Sequence, residues 1–216
     1  MSLNAITLPP QTSQTPQGLV ILLHGWGANC NDLPPIAEMM DLRNYQLVFP
    51  EAPFDHPYNP LGKMWYAFPD RYSFLGTPEF RDRPDLSTSR QLLLEFIQLQ
   101  ADIAGIPLSR TILGGFSQGG AMTLDVGTQL PLAGLMILSG YLHAPLQAEP
   151  GTIPPTLVIH GRQDTVVTLP SAHQVRDRLQ ALNTPLQYEE YEMGHEIQPV
   201  VLGKIQTFVK ENLPPL

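Results

Sequence analysis

Short, nearly continuous apolar runs recur along the chain, and each closes on glycine, proline or histidine. Residues 18–23 (GLVILL) run into His24-Gly25, 46–49 (QLVF) into Pro50, and 110–113 (RTIL) into a cluster of glycines. Further on, 134–138 (GLMIL) run into Ser139-Gly140 and 156–159 (TLVI) into His160-Gly161, while 186–192 alternate in part and stop before Met193-Gly194. Runs apolar on both faces suit parallel strands covered by helices on either side. Between them the period changes to that of a helix. Leu92, Phe96, Leu99 and Ile103 recur at helical spacing after Ser87-Thr88, either of which is a candidate cap. Residues 118–129, 170–182 and 199–212 read as three more helices, with Ala172, Val175, Leu179 and Leu182 on one face of the second and Val201, Ile205, Phe208 and Val209 on one face of the third. Strands alternating with helices predict a mostly parallel, doubly wound α/β sheet, whose ligands gather at the carboxyl ends of the strands.

Residues 51–87 break the pattern. They hold six prolines and a run of aromatics that includes Trp65, Tyr66, Phe68 and Phe74. A long irregular stretch of this composition either covers one side of the sheet or walls a pocket. Trp65, Tyr66, Phe68, Phe74 and Leu75 are the candidate substrate-binding side chains.

Composition narrows the classes. A chain of 216 residues, 43% hydrophobic and 15% charged, fits one α/β domain spanning 1–216. A formal net charge of −8 argues against nucleic acid or an anionic membrane surface as partner. No apolar run is long enough to span a bilayer, which speaks against stable membrane insertion. The first residues lack the basic and apolar segments of a signal peptide, and Cys30 is the single cysteine, so the expected location is the cytoplasm. A homodimer is left open.

The chemistry centres on Gly115-Phe116-Ser117-Gln118-Gly119, a G-x-S-x-G sequence between a strand and a helix. A serine in that sharp turn lifts its hydroxyl above the sheet, and side chains in place of the flanking glycines would collide with it. Ser117 is therefore the candidate nucleophile, and it needs a base. The chain order expected for this arrangement is serine, acid, histidine. Of the histidines that follow, His195 sits in the loop directly after the last strand, where the base is expected. His160 ends a strand before glycine and reads as a packing residue, His173 lies on a helix, and His143 precedes every good acid. Asp164, just past the 156–159 strand, is the candidate acid, able to orient imidazole and stabilise imidazolium. An acyl-transfer intermediate also needs two amide donors. The N–H of Gln118 is one, and Trp26 in His24-Gly25-Trp26-Gly27 is the candidate for the other. No zincin spacing, phosphate loop or dinucleotide fingerprint is present, so neither metal nor cofactor is expected. Cys30 reads as a structural thiol.

Together these residues resemble the carboxylesterase and acyl-protein thioesterase (phospholipase/carboxylesterase) family of α/β hydrolases. The similarity runs over nearly the whole chain: Leu23-His24-Gly25-Trp26-Gly27, Pro50-Glu51-Ala52-Pro53, Met64-Trp65-Tyr66, Gly105-Ile106-Pro107, residues 112–120, His160-Gly161 with Asp164, and Met193-Gly194-His195-Glu196. The resemblance implies an α/β-hydrolase fold without a large cap domain. It also implies a cofactor-free serine hydrolase of carboxylic esters or thioesters, lysophospholipids included, with Ser117, Asp164 and His195 as triad and Trp26 and Gln118 as oxyanion donors. Two positions depart from the family pattern. Trp26 stands where leucine is common, which bears on pocket shape rather than on the backbone donor. The stretch from Asp164 to Leu169 lacks the family's proline-rich form and keeps the acid. The rival class is a ligand-binding protein on the same scaffold, which would lack part of this machinery.

Overall fold

The computed structural model describes residues 3–12, 15–68 and 78–215. Seven strands form one sheet: β1 (Ala5–Leu8), β2 (Leu19–Leu23), β3 (Gln46–Pro50), β6 (Thr111–Phe116), β7 (Gly134–Leu138), β8 (Thr156–Gly161) and β9 (Leu186–Tyr191), in the order β1-β3-β2-β6-β7-β8-β9. All neighbours are parallel except β1, which pairs antiparallel with β3. A separate two-stranded hairpin, β4 (Phe54–Asp55) with β5 (Lys63–Met64), lies in the irregular stretch. The helices are α1 (Pro34–Glu38), α2 (Pro84–Ala104), α3 (Gln118–Gly127), α4 (Leu169–Ala181) and α5 (Pro199–Asn212).

Side chains alternate across a strand, so the apolar runs feed two cores at once. Ile21, Leu113, Leu135 and Val158 face one layer, where they pack with Leu93 and Ile97 of α2, Met122 of α3 and Val175 of α4. Val20, Ile112, Met136 and Leu157 face the other, against Ala37 of α1 and Ile205, Phe208 and Val209 of α5. This is the doubly wound arrangement that the strand pattern predicts, with no large cap. Among the described residues, no helix is long and apolar enough to cross a membrane.

Three features depart from the sequence reading. The long helix α2 starts at Pro84, not at Ser87 or Thr88, which lie inside it; Thr88 Oγ1 donates to Pro84 O at 2.8 Å. Pro84 at the first helical position brings its own helical φ, and Asp85 places a carboxylate at the positive end of the helix, so no side-chain cap is used. Strand β1 and helix α1 also go unanticipated. Four residues on an exposed edge and five residues of helix are too short to display a period.

Candidate active site

The carboxyl ends of β2, β6, β8 and β9 open onto one edge of the sheet, and the candidate residues sit in the loops that leave them. Ser117 follows β6 with φ 56° and ψ −117°, a conformation that L-residues rarely adopt. Its N–H donates to Leu138 O at 2.8 Å, which ties the strained residue to β7. The flanking glycines are required by backbone contact and not by the serine side chain. A Cβ on Gly115 would lie 2.3 Å from Gly119 O, and one on Gly119 would lie 2.3 Å from Leu23 O. The turn folds back on itself and then presses α3 against the end of β2, so both positions exclude any side chain.

His195 and Asp164 arrive from the loops after β9 and β8. His195 Nε2 stands 3.0 Å from Ser117 Oγ, and its Nδ1 stands 2.7 Å from Asp164 Oδ2. A carboxylate only accepts, so Nδ1 carries the proton toward Asp164 and Nε2 presents a lone pair to the serine hydroxyl. The other carboxylate oxygen of Asp164 accepts the amides of Val166 at 2.9 Å and Val167 at 2.8 Å. Burial would push the Asp164 carboxyl up, but His195 and these amides outweigh it and hold the group below its ordinary value. A buried anion thus stands behind the imidazole, and a carboxylate–imidazole–hydroxyl chain of these lengths is competent to draw the proton from the serine.

His160 does pack, and in a definite way. It is fully buried, with Nε2 2.6 Å from Val167 O and 3.5 Å from Asp164 Oδ2, so it fastens the loop that carries the acid. His173 pairs with Glu190 at 3.0 Å, away from Ser117. His143 lies in a different buried network, with Nε2 3.3 Å from Asp125 Oδ2 and Nδ1 3.2 Å from the Tyr66 hydroxyl.

Gln118 opens α3, whose first amides have no acceptor within the helix, so its N–H is left available to an anion. Trp26 sits in the loop after β2. That loop is pinned to the β4–β5 hairpin by Gly27 N–H to Lys63 O at 2.8 Å and Lys63 N–H to Ala28 O at 2.7 Å. The Trp26 ring stands edge-on to His56 at 4.0 Å and to Phe68 at 5.3 Å.

The structure places Trp65 and Tyr66 differently from the sequence reading. Both are fully buried and neither lines the cleft beside Ser117. Trp65 Nε1 donates to His24 O at 2.9 Å and its N–H to Gln118 Oε1 at 2.9 Å, while Gln118 Nε2 donates to Tyr66 O at 2.8 Å. They brace Gln118 directly, and the loop that carries Trp26 through His24. Phe68 is half-buried against Trp26. Phe74 and Leu75 lie outside the described residues.

His24 is a site residue whose role the sequence reading leaves unassigned. It is buried, and since Gly25 O can only accept, Nδ1–H donates to it at 2.8 Å, leaving Nε2 to accept Ala52 N–H at 3.1 Å. Burial keeps its pKa below 6.5, in keeping with the neutral ring that this bonding needs. His24 therefore locks the loop that carries Trp26, the candidate oxyanion donor, to the segment after β3. Its position at the end of an apolar strand was the available signal.

A cleft of about 460 Å³ opens beside Ser117 and His195. Among the described residues its apolar lining comes from Trp26, from Leu33 and Ile36 around α1, and from Phe116 and Ile197, and not from the aromatic stretch.

Comparison with known proteins bears on the family and the fold. The family model described as phospholipase/carboxylesterase matches residues 9–213. Acyl-protein thioesterase 1 of Neurospora crassa is 30% identical over 213 residues, covering 90% of this chain and 86% of that protein. Lysophospholipase-like protein 1 of Mus musculus is 25% identical over 189 residues, covering 81% and 76%. The crystal structure of esterase PE8 superposes with a TM-score of 0.87 at 28% identity, over 99% of this chain and 100% of that one. With a doubly wound sheet, a serine at the strand-to-helix turn and a family match over nearly its full length, the chain belongs to the phospholipase/carboxylesterase family of α/β hydrolases and is a serine hydrolase.

Proposed function

We propose that the protein hydrolyses carboxylic esters through an acyl-enzyme on Ser117, with His195 as base and Asp164 as its orienting acid. The observation that carries the reading is the continuous Asp164–His195–Ser117 hydrogen-bonded chain whose serine and histidine line an open cleft. Ser117 Oγ attacks the carbonyl carbon while its proton passes to His195 Nε2. The amides of Gln118 and Trp26 hold the oxyanion, a contribution of about 3–4 kcal/mol for one such donor. His195 then returns the proton to the leaving alcohol, and water activated by the same ring releases the acid. Only the leaving group changes for a thioester. Relatives named as acyl-protein thioesterases support that second reading. The free Cys30 thiol suits a reducing compartment such as the cytoplasm. The test is a panel of p-nitrophenyl esters and acyl thioesters of graded chain length with wild type and Ser117→Ala. Turnover that vanishes in the variant is expected, and full activity without Ser117 would overturn the assignment.

A further inference from the structure

The cleft beside Ser117 has an apolar floor and a charged margin of one sign. Leu33, Ile36, Phe116 and Ile197 make the floor, and beneath it the same four residues cover a small, almost wholly apolar void. Asp32 and Glu196 both line the cleft, the first from the loop before α1 and the second from the residue after His195; both are exposed. Among the described residues, no lysine or arginine lines it. Glu196 accepts a hydrogen bond from the neutral amide of Gln198 at 2.7 Å, which leaves its charge intact.

We propose that Asp32 and Glu196 make this cleft selective for uncharged or cationic apolar groups and exclude anionic ones, so that the enzyme takes neutral esters and repels its own carboxylate product. The inference rests on the esterase reading above and adds the class of substrate. Its physical basis is that an apolar floor offers an anion no donor to replace its lost hydration, while two like charges raise the cost of approach. Exposed charges act through water and salt, so the effect is a modest rate ratio rather than an absolute barrier.

The experiment compares size-matched esters with the charge placed in turn on either side of the scissile bond. One pair is p-nitrophenyl butyrate against p-nitrophenyl hemisuccinate; the other is propyl butyrate against the butyrate ester of glycolate. Wild type should favour the neutral member of the pair whose varied group enters the cleft, and the preference should shrink as salt is raised. The Asp32→Asn/Glu196→Gln double variant should reduce that preference in kcat/KM by roughly two- to fivefold at low salt, mainly through KM. Butyrate should inhibit the double variant more strongly than wild type. Equal turnover of both members of both pairs, or a preference untouched by the double variant and by salt, overturns the charge selection and leaves the esterase reading standing. Absence of Ser117-dependent turnover of every neutral ester overturns both.

Discussion

Asp164 meets His195 at the carboxyl edge of the sheet, and Asp125 meets His143 inside the layer between α2 and α3. Both are aspartate–histidine contacts, but their surroundings differ. The Asp164–His195 contact is 2.7 Å, the histidine side chain is 18% exposed, and a serine hydroxyl lies 3.0 Å from its far nitrogen. The Asp125–His143 contact is 3.3 Å, both side chains are at most 4% exposed, and the far nitrogen of the histidine meets the Tyr66 hydroxyl, which in turn meets that of Tyr141 at 2.6 Å. Asp125 is further held by Arg90 at 2.8 Å and Arg81 at 3.6 Å. The same two residue types are thus arranged for the proposed proton relay where one end is open and meets a hydroxyl. Where both ends are closed by cations and phenols, they make a fastening between helices.

Exchanging the insults should separate the two. Removing the base or nucleophile, His195→Ala or Ser117→Ala, should lower kcat by about 10⁴–10⁶-fold with little change in melting temperature. Asp164→Asn should lower kcat by about 10⁴-fold, because the ring is then held in the wrong tautomer. Asp125→Ala should do the reverse. It leaves Arg90 and His143 buried without their partner, so a loss of about 3–5 kcal/mol in denaturant unfolding is expected, with kcat of the folded fraction within a few-fold of wild type.

Acid should sharpen the contrast. Burial would raise the Asp125 carboxyl, but His143 and Arg90 outweigh it and hold the group below 3.8. A depressed carboxyl stabilises the fold above its ordinary value, and that stability is lost as pH falls through the folded value. Wild type should therefore lose stability steeply below about pH 4, and Asp125→Asn should show a shallower slope there. The smallest effect is expected beneath the oxyanion loop. Trp65→Phe removes the donor to His24 O and should cost about 0.5–1.5 kcal/mol, with a fall in kcat but not in KM.

The part of the site legible in sequence is the part set by strand ends. Ser117, Asp164 and His195 each stand in the loop after a strand, and a parallel sheet brings such ends to one edge whatever the intervening helices do. The Asp125–His143 contact left no such trace. Asp125 reads only as a helical position, and His143 precedes every acid that the expected chain order admits. The bracing of Gln118 by Trp65 and of Trp65 by His24 spans 53 and 41 positions, and hydrogen bonds at such separations impose no period on the chain. Among the described residues, the cleft lining around α1 leaves no trace in the sequence for a related reason. Five residues of α1 are too few to announce a helix, whereas the conspicuous aromatics draw the eye, and two of them, Trp65 and Tyr66, are buried support.

The central claim is that one serine, activated by the open pair and not by the closed one, carries the acyl group. Peptide mapping after labelling with a fluorophosphonate tests it most directly. The adduct should map to Ser117, form at close to wild-type rate in a folded His143→Ala variant, and fall sharply in rate in His195→Ala. An adduct on another residue, or labelling in His195→Ala as fast as in wild type, would contradict it.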